Sequence, residues 1–248
     1  MNHLNHENQP DREHQFDHVR TASTTTHVLI DLDGTISDSS PGIARSLQHA
    51  FDVCGYPPPS DAQVRTVIGP PFEVGLPTLG IPIDDVERVV RAYRDRYEDI
   101  GLFENTVYPG IVEMLDALAA EGHTLSIATA KPEPTAKRII EHFGLANRFA
   151  VQAGATHEVG TGRRTKAEVI NYALIQLRLV PSDLPRVVMV GDRDHDVEGA
   201  HLNGIDCIGV TWGFGSPDEL ESAGAAVLVD TPGEVAAAVA ATYRSVRP

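Results

Sequence analysis

Residues 26–39 read THVLIDLDGTISDS, an apolar run that ends in two aspartates, Asp31 and Asp33, followed by Gly34-Thr35. Successive side chains of an extended chain alternate faces, so both carboxylates leave the strand on the same side. Like charges that close repel unless one is protonated or a cation lies between them, which is how functional sites are built. The Gly34-Thr35 turn is tight enough for backbone N–H groups to point back at Asp31. A second apolar run repeats the theme: VVMVGDRDHDVEGA, residues 187–200, ends in Asp192, with Asp194 and Asp196 following alternately. Neither stretch is a calcium loop. In the first, Gly is fourth rather than sixth; in the second, Val197 stands where that loop needs Gly and Asn203 where it needs a bidentate Glu.

Two further segments carry groups suited to phosphate. SIATAKPEP, residues 126–134, places Thr129 at a strand end beside the start of a helix, whose free N–H groups favour an anion. RRTKAEVINYALIQL, residues 163–177, opens a helix with three cations that oppose the helix dipole. Lys166 is the candidate for a fixed charge beside phosphate, Arg163 and Arg164 read as solvated, and Asp196 is placed to reach back to Lys166. Singly, each motif has a plain structural reading: an Asp-Gly turn, a Thr at a strand end, a helix with surface cations. Jointly, if the first strand and the one ending at Asp192 are neighbours, three carboxylates, a hydroxyl and a lysine make a site for Mg²⁺ and a phosphate.

The elements that position these residues are legible in the pattern. Apolar β-rich runs alternate with helical periods from residue 27 onward, which predicts an α/β fold with a Rossmann-like parallel sheet wrapped by helices. The strands fall at 27–31, 124–129, 149–152, 187–191, 206–210 and 226–229. IVEMLDALAAEG, after Pro109, and EPTAKRIIEHFG have Pro and Gly where helix boundaries want them. Between the first two strands lies a stretch too long for one crossover helix. PGIARSLQHAFDVCG puts Ile43, Leu47, Phe51 and Cys54 on one face, with Ser40 as N-cap and Gly55 as stop; DDVERVVRAYRDRYEDIG does the same with Val86, Val89, Val90, Tyr93, Tyr97 and Ile100. The expected organisation is therefore a disordered tail over 1–26, a core of 27–43 and 109–248, and a helical cap over 44–108, placed as a lid above the strand ends.

Composition narrows the classes. With 248 residues, 42% hydrophobic and 22% charged, the chain can bury a globular core. No apolar stretch approaches the roughly 20 residues of a membrane helix, and the N-terminus has no signal-peptide core, so a soluble cytoplasmic protein is expected. A formal net charge of −15 argues against a nucleic-acid polymer as partner. Cys54 and Cys207 sit in different apolar segments and read as reduced core residues. His3, His6, His14 and His18 are too irregularly spaced to mark a metal site.

DLDGT, a Thr at the second strand end, a lone Lys opening a helix, and GDRDHD resemble the four motifs of haloacid dehalogenase-like (HAD) hydrolases, over roughly residues 27–230. The insertion after the first motif, VIGPP at 67–71 and GVTWGFGS at 209–216 are similar to the phosphoglycolate-phosphatase-like branch. IGPP, KPEPTAKRIIEHFG and AGATHEVGTGRRTK also resemble a bacterial protein-tyrosine kinase built on this fold. The resemblance implies a Mg²⁺-dependent phosphatase, phosphoglycolate phosphatase-like or 5'-nucleotidase-like, with Asp31 as nucleophile forming an aspartyl-phosphate and Asp33 as acid, then base. It implies Mg²⁺ held by Asp31, Asp192 and the backbone carbonyl of Asp33, with Thr129 and Lys166 stabilising phosphate and Asp196 behind them. Substrate contacts are expected from Gly34, Ala130 and Lys131, and from lid residues Arg65, Gly69, Pro70, Pro71 and Phe72. Ala130 departs from the family pattern, standing where many members have Asn. The partner is a small phosphorylated metabolite, or a protein if the kinase reading holds.

Overall fold

The structure, a computed structural model, describes residues 26–68, 72–156 and 162–244. The segment 1–25 with its four histidines lies outside the described residues, as do Gly69, Pro70, Pro71 and the 157–161 stretch, so the readings placed on them are not taken further. The chain runs β1 (His27–Ile30), β2 (Ser37–Asp38), α1 (Ser40–Cys54), α2 (Asp61–Thr66), α3 (Phe72–Thr78), α4 (Ile83–Tyr97), β3 (Thr106–Val107), α5 (Ile111–Ala120), β4 (Thr124–Pro132) and α6 (Glu133–His142). It continues through β5 (Val151–Ala155), α7 (Lys166–Gln176), β6 (Val187–Gly191), α8 (Asp194–Leu202), β7 (Asp206–Val210), α9 (Pro217–Ala223), β8 (Val227–Val229) and α10 (Val235–Arg244).

Six of these strands form one parallel sheet in the order β5-β4-β1-β6-β7-β8. The chain starts in the middle, builds outward to β5, then crosses back to lay down the other half. The reversal falls between β1 and β6, the crevice where open α/β sheets bind ligands. Both faces of the sheet are covered, so its strands read as nearly continuous apolar runs. Val28, Ile30, Val188, Val190, Ile208 and Val210 point into the core under α5, α6 and α10, while Leu29, Val187, Met189 and Cys207 point into the core under α7, α8 and α9. Ile30 pairs level with Ile127 on one side and Val190 on the other. The residues just beyond, Asp31, Thr129 and Asp192, therefore emerge together at one end of the sheet.

Several boundaries differ from the sequence expectation. The edge strand β5 starts at Val151, because its register is set by pairing Ser126 with Val151, and Phe149 instead follows a 3₁₀ turn at Ala146–Arg148 and is buried. The N-cap of α1 is Ser39, not Ser40, whose backbone N and Oγ both donate to Asp38 Oδ1 at 3.0 and 2.5 Å. Val86, Val89, Val90, Tyr93 and Tyr97 bury the expected face of α4, but the helix ends at Tyr97 and Ile100 is 54% exposed. The helical stretch begins with α1 at Ser40. Its neck is closed by an antiparallel ribbon in which Ser37 pairs with Val107 and Asp38 with Thr106. Among the described residues, no helix is long and apolar enough to cross a membrane.

Glu104, at the exit of the helical stretch, ties its first and last long helices together. Arg96 of α4 grips the carboxylate through two bonds, 2.8 and 3.1 Å, and also donates to Ser46 Oγ of α1 at 3.0 Å; Arg45 of α1 adds an ion pair at 3.0 Å. These hydrogen bonds, led by Arg96, hold the Glu104 carboxyl below its usual range against the opposing effect of burial. A depressed carboxyl stabilises the fold above its unfolded pKa, and that contribution disappears as pH falls through the folded value. Glu104→Gln should lower unfolding free energy by roughly 1–3 kcal/mol at neutral pH. Urea denaturation should show the gap from the parent closing as pH drops below about 4.

Candidate active site

Asp31 follows directly on β1 and its backbone N–H donates to Val190 O at 3.0 Å, so the site is pinned to the β1–β6 seam. Its carboxylate is 4% exposed; Asp192 and Asp196 are fully buried, and Lys166 is 4% exposed. Lys166 Nζ lies 2.8 Å from Asp31 Oδ1 and 2.7 Å from Asp196 Oδ1, and donates a well-aligned bond to Ala128 O at 3.0 Å. The two carboxylate contacts are charge pairs lacking hydrogen-bond alignment. Asp196 Oδ2 accepts from the N–H groups of Asp192 and Arg193, both at 3.1 Å, so Asp196 braces the loop that carries Asp192. The first turn of α7 thus delivers Lys166 into the sheet end, where Thr165 caps the helix and Glu168 completes the capping box. The expected reach of Asp196 to Lys166 is present; Arg163, expected to be solvated, is not. It is half-buried, paired with Glu133 at 2.5 Å and stacked 3.6 Å over the Tyr172 ring.

Asp192 is enclosed more tightly. Thr35 Oγ1 donates to its Oδ1 at 3.1 Å and Phe214 N to its Oδ2 at 2.7 Å. Gly34, at φ 86°, and Gly213 leave room that no other residue could: a Cβ on either would fall within 2.4 Å of Asp192 Oδ2. The Gly34 N–H, expected to face the ligand, donates instead to Ser37 O at 2.8 Å, so this glycine serves the packing around Asp192. Trp212 Nε1 donates to Thr35 O at 3.0 Å and locks the same turn from the β7 side. GVTWGFGS is therefore the wall of the Asp192 pocket.

Lys166 pairs with two of these three buried carboxylates, Asp31 and Asp196, while Asp192 has no ion pair among the described residues, so acids outnumber bases in this layer. Burial accordingly pushes the Asp31 carboxyl above its ordinary range despite Lys166, and burial with Asp196 and Asp31 pushes Asp192 well above it. Lys166 is raised, because Asp196 and Asp31 outweigh its burial, and Asp196 is lowered by Lys166 against the same burial. A buried, all-oxygen donor set in which acids outnumber bases fits a hard divalent cation. Asp31, His195 and Asp196 also place ligand-type atoms within 4.8 Å of one another, but Asp196 Oδ2 already accepts two N–H groups and its Oδ1 faces the Lys166 ammonium, whereas each Asp192 oxygen accepts a single neutral hydrogen bond, which makes Asp196 the poorer ligand of the two.

Above this layer is a cavity of about 420 Å³. Asp31, Asp33, Thr129, Ala130 and Lys131 line it from the strand ends; Phe72, Val90, Tyr93 and Tyr97 line it from α3 and α4; Arg94, Arg164, Arg193 and His195 also line it. Thr129 is buried and its Oγ1 accepts from Lys131 N at 3.3 Å. The helix start expected beside Thr129 lies further on, since β4 continues to Pro132. There the Glu133 carboxylate and Pro134, which has no N–H, make a poor anion cradle. Lys131 pairs with Asp33, Nζ to Oδ2 at 2.7 Å. Arg65 stands exposed at the end of α2 and is not part of the cavity wall. Arg193 and His195 sit inside the GDRDHD stretch, where the acids alone drew attention, and the Tyr93–Tyr97 stack was legible only as the buried face of a helix.

Removing the charge of Asp192 tests the cation fit without an activity assay. A carboxyl raised in the fold destabilises it when ionised, and that burden grows as pH rises from the unfolded toward the folded pKa. Metal-free Asp192→Asn should melt above the parent at neutral pH, and Mg²⁺, which should raise the parent's Tm, should leave the variant's unchanged. A parent indifferent to Mg²⁺ would contradict the fit.

A 5'-nucleotidase from Pseudomonas aeruginosa is 40% identical over 197 residues, covering 79% of this chain and 87% of its own. The tyrosine-protein kinase PtkA from Mycobacterium tuberculosis is also 40% identical, over 201 residues, covering 81% of this chain and 67% of its own. Among solved structures, a predicted phosphatase from Clostridium acetobutylicum superposes with a TM-score of 0.80 at 34% identity, covering 88% of this chain and all of that one. The model of the haloacid dehalogenase-like hydrolase family matches residues 28–210, from within β1 through the end of β7, and this chain belongs to that family.

Proposed function

We propose that this chain is a Mg²⁺-dependent phosphatase that hydrolyses a small phosphate monoester through an aspartyl-phosphate on Asp31. The observation that carries the reading is the contrast between two aspartates in one cavity: Asp31 embedded among buried charges, Asp33 at the cavity wall beside Lys131. The names of relatives, among them a phosphoglycolate phosphatase and an N-acetylmuramic acid 6-phosphate phosphatase, support the reaction class. Asp31, Asp192 and the Asp33 carbonyl would hold Mg²⁺, which when bound neutralises the repulsion between a carboxylate and a phosphate dianion.

The chain's own groups supply the rest. Lys166 orients Asp31 through Oδ1 while Asp196 holds Lys166 in place. Asp31 attacks phosphorus; the bond from phosphorus to the ester oxygen breaks, and Asp33 gives that oxygen its proton, so an alcohol leaves. Asp33, now a carboxylate, takes a proton from water as the water oxygen attacks phosphorus, and the Asp31–phosphorus bond breaks to release inorganic phosphate. Thr129 offers a hydroxyl to the phosphoryl oxygens. The helical stretch from α1 to α4 acts as the lid over this chemistry, and the cavity volume suits a metabolite rather than a polymer. The 40% identity to a tyrosine-protein kinase keeps one second reading, phosphoryl transfer from ATP to a protein tyrosine.

One experiment separates the two. Purified protein with Mg²⁺ is offered a panel of phosphate esters and, separately, labelled ATP with a tyrosine-containing protein, each beside Asp31→Asn. The phosphatase reading expects ester hydrolysis that the variant loses by at least about a thousandfold. Label on tyrosine that depends on Asp31, with no ester hydrolysed above the variant, would replace it with the kinase reading.

A further inference from the structure

Lys131 stands apart from the charges around Asp31. Its Nζ is 2.7 Å from Asp33 Oδ2 on one side and 5.2 Å from the centroid of the Tyr97 ring on the other, with only 7% of the side chain exposed. The remaining oxygen of the pair, Asp33 Oδ1, is buried and accepts no hydrogen bond. Tyr97 belongs to α4 and stacks on Tyr93 at 5.0 Å, and Tyr93 meets Phe72 of α3 edge-on at 4.6 Å. A column of rings from the helical stretch thus ends on the lysine that grips Asp33.

Resting on the phosphatase reading above, we propose that Lys131 is the positioning residue for Asp33, and that Tyr97 holds it there, so the acid–base carboxylate is set only when the helical stretch is seated on the sheet end. Lys131 fixes the carboxylate through Oδ2, so that Asp33, at the cavity wall, is held where it hands a proton to the ester oxygen and later takes one from water. This differs from a lysine that binds the phosphate, which would act on every substrate alike. An alkyl ester, whose alkoxide leaves poorly, depends on the proton from Asp33; an aryl ester such as p-nitrophenyl phosphate, whose phenolate leaves readily, depends on it little.

The test compares kcat and KM for p-nitrophenyl phosphate and glycerol phosphate at one pH in the parent, Lys131→Met, Lys131→Arg and Tyr97→Leu, with Tm measured for each. Lys131→Met should lower kcat on the alkyl ester by on the order of a hundredfold and on the aryl ester by less than about tenfold, with KM nearly unchanged. Lys131→Arg should recover most of the alkyl loss, and Tyr97→Leu should show the same selectivity in weaker form. Equal losses on both esters, or losses confined to KM, would overturn the proposal in favour of a structural or phosphate-binding lysine. If Lys131→Met does not fold, Tyr97→Leu decides by the same ratio. Where glycerol phosphate is not hydrolysed, the alkyl ester turned over best in the panel above takes its place; a parent that hydrolyses no ester of that panel removes the phosphatase reading, and the role of Lys131 with it.

Discussion

The fold depends on one shared lysine. Lys166 enters the end of the sheet from the first turn of α7 and divides its charge between Asp31 and Asp196, while Asp192 beside them has only hydrogen bonds from Thr35 and Phe214. Burying a carboxylate without an ion-pair partner is among the most expensive things a protein does, and Asp192 at the seam of β1 and β6 incurs that expense. The surrounding architecture reads as support for it: parallel strands ending level, a capped helix that presents Lys166, and glycines that let Gly34 and Gly213 close on Asp192. The site is strained toward a cation by its own composition.

A second lysine divides the labour. Asp31 and Asp33 are two residues apart, yet Asp31 faces Lys166 in a fully buried layer and Asp33 faces Lys131 at the cavity wall. Paired carboxylates in unlike surroundings are how a single fold supports a nucleophile beside an acid and base. The helical stretch completes the division, because its aromatic side closes the cavity opposite the acids and its neck, the β2–β3 ribbon, leaves the chain within a few residues of Asp33.

Much of this was legible in the sequence because it is local or periodic. The six strands, the acids at their ends and the lone Lys at the start of α7 follow from apolar runs and helix boundaries, and their meeting follows from parallel pairing. What could not be read is what tertiary pairing decides. β5 starts at Val151 because Ser126 fixes its register, and β4 outruns its expected end by three residues, carrying the start of α6 away from Thr129. Gly34 looked like an anion turn and is a packing glycine, since its N–H is already bonded to Ser37. Arg163 looked solvated because its ion-pair partner Glu133 lies 30 residues away on α6, and its contact with Tyr172 of the following helix depends on how the loop turns back. The Asp33–Lys131 pair, 98 residues apart in the chain, has no local signature for the same reason.

The most direct measurement of the central claim, that the charge arrangement at the sheet end exists to make Asp31 a nucleophile, is acid-quench mass spectrometry during turnover of a small phosphate ester with Mg²⁺. The peptide carrying Asp31 should be phosphorylated, in a form that hydroxylamine cleaves as it does an acyl phosphate. Hydrolysis that proceeds with no phosphoryl group on Asp31, or with one on a different residue, would contradict it.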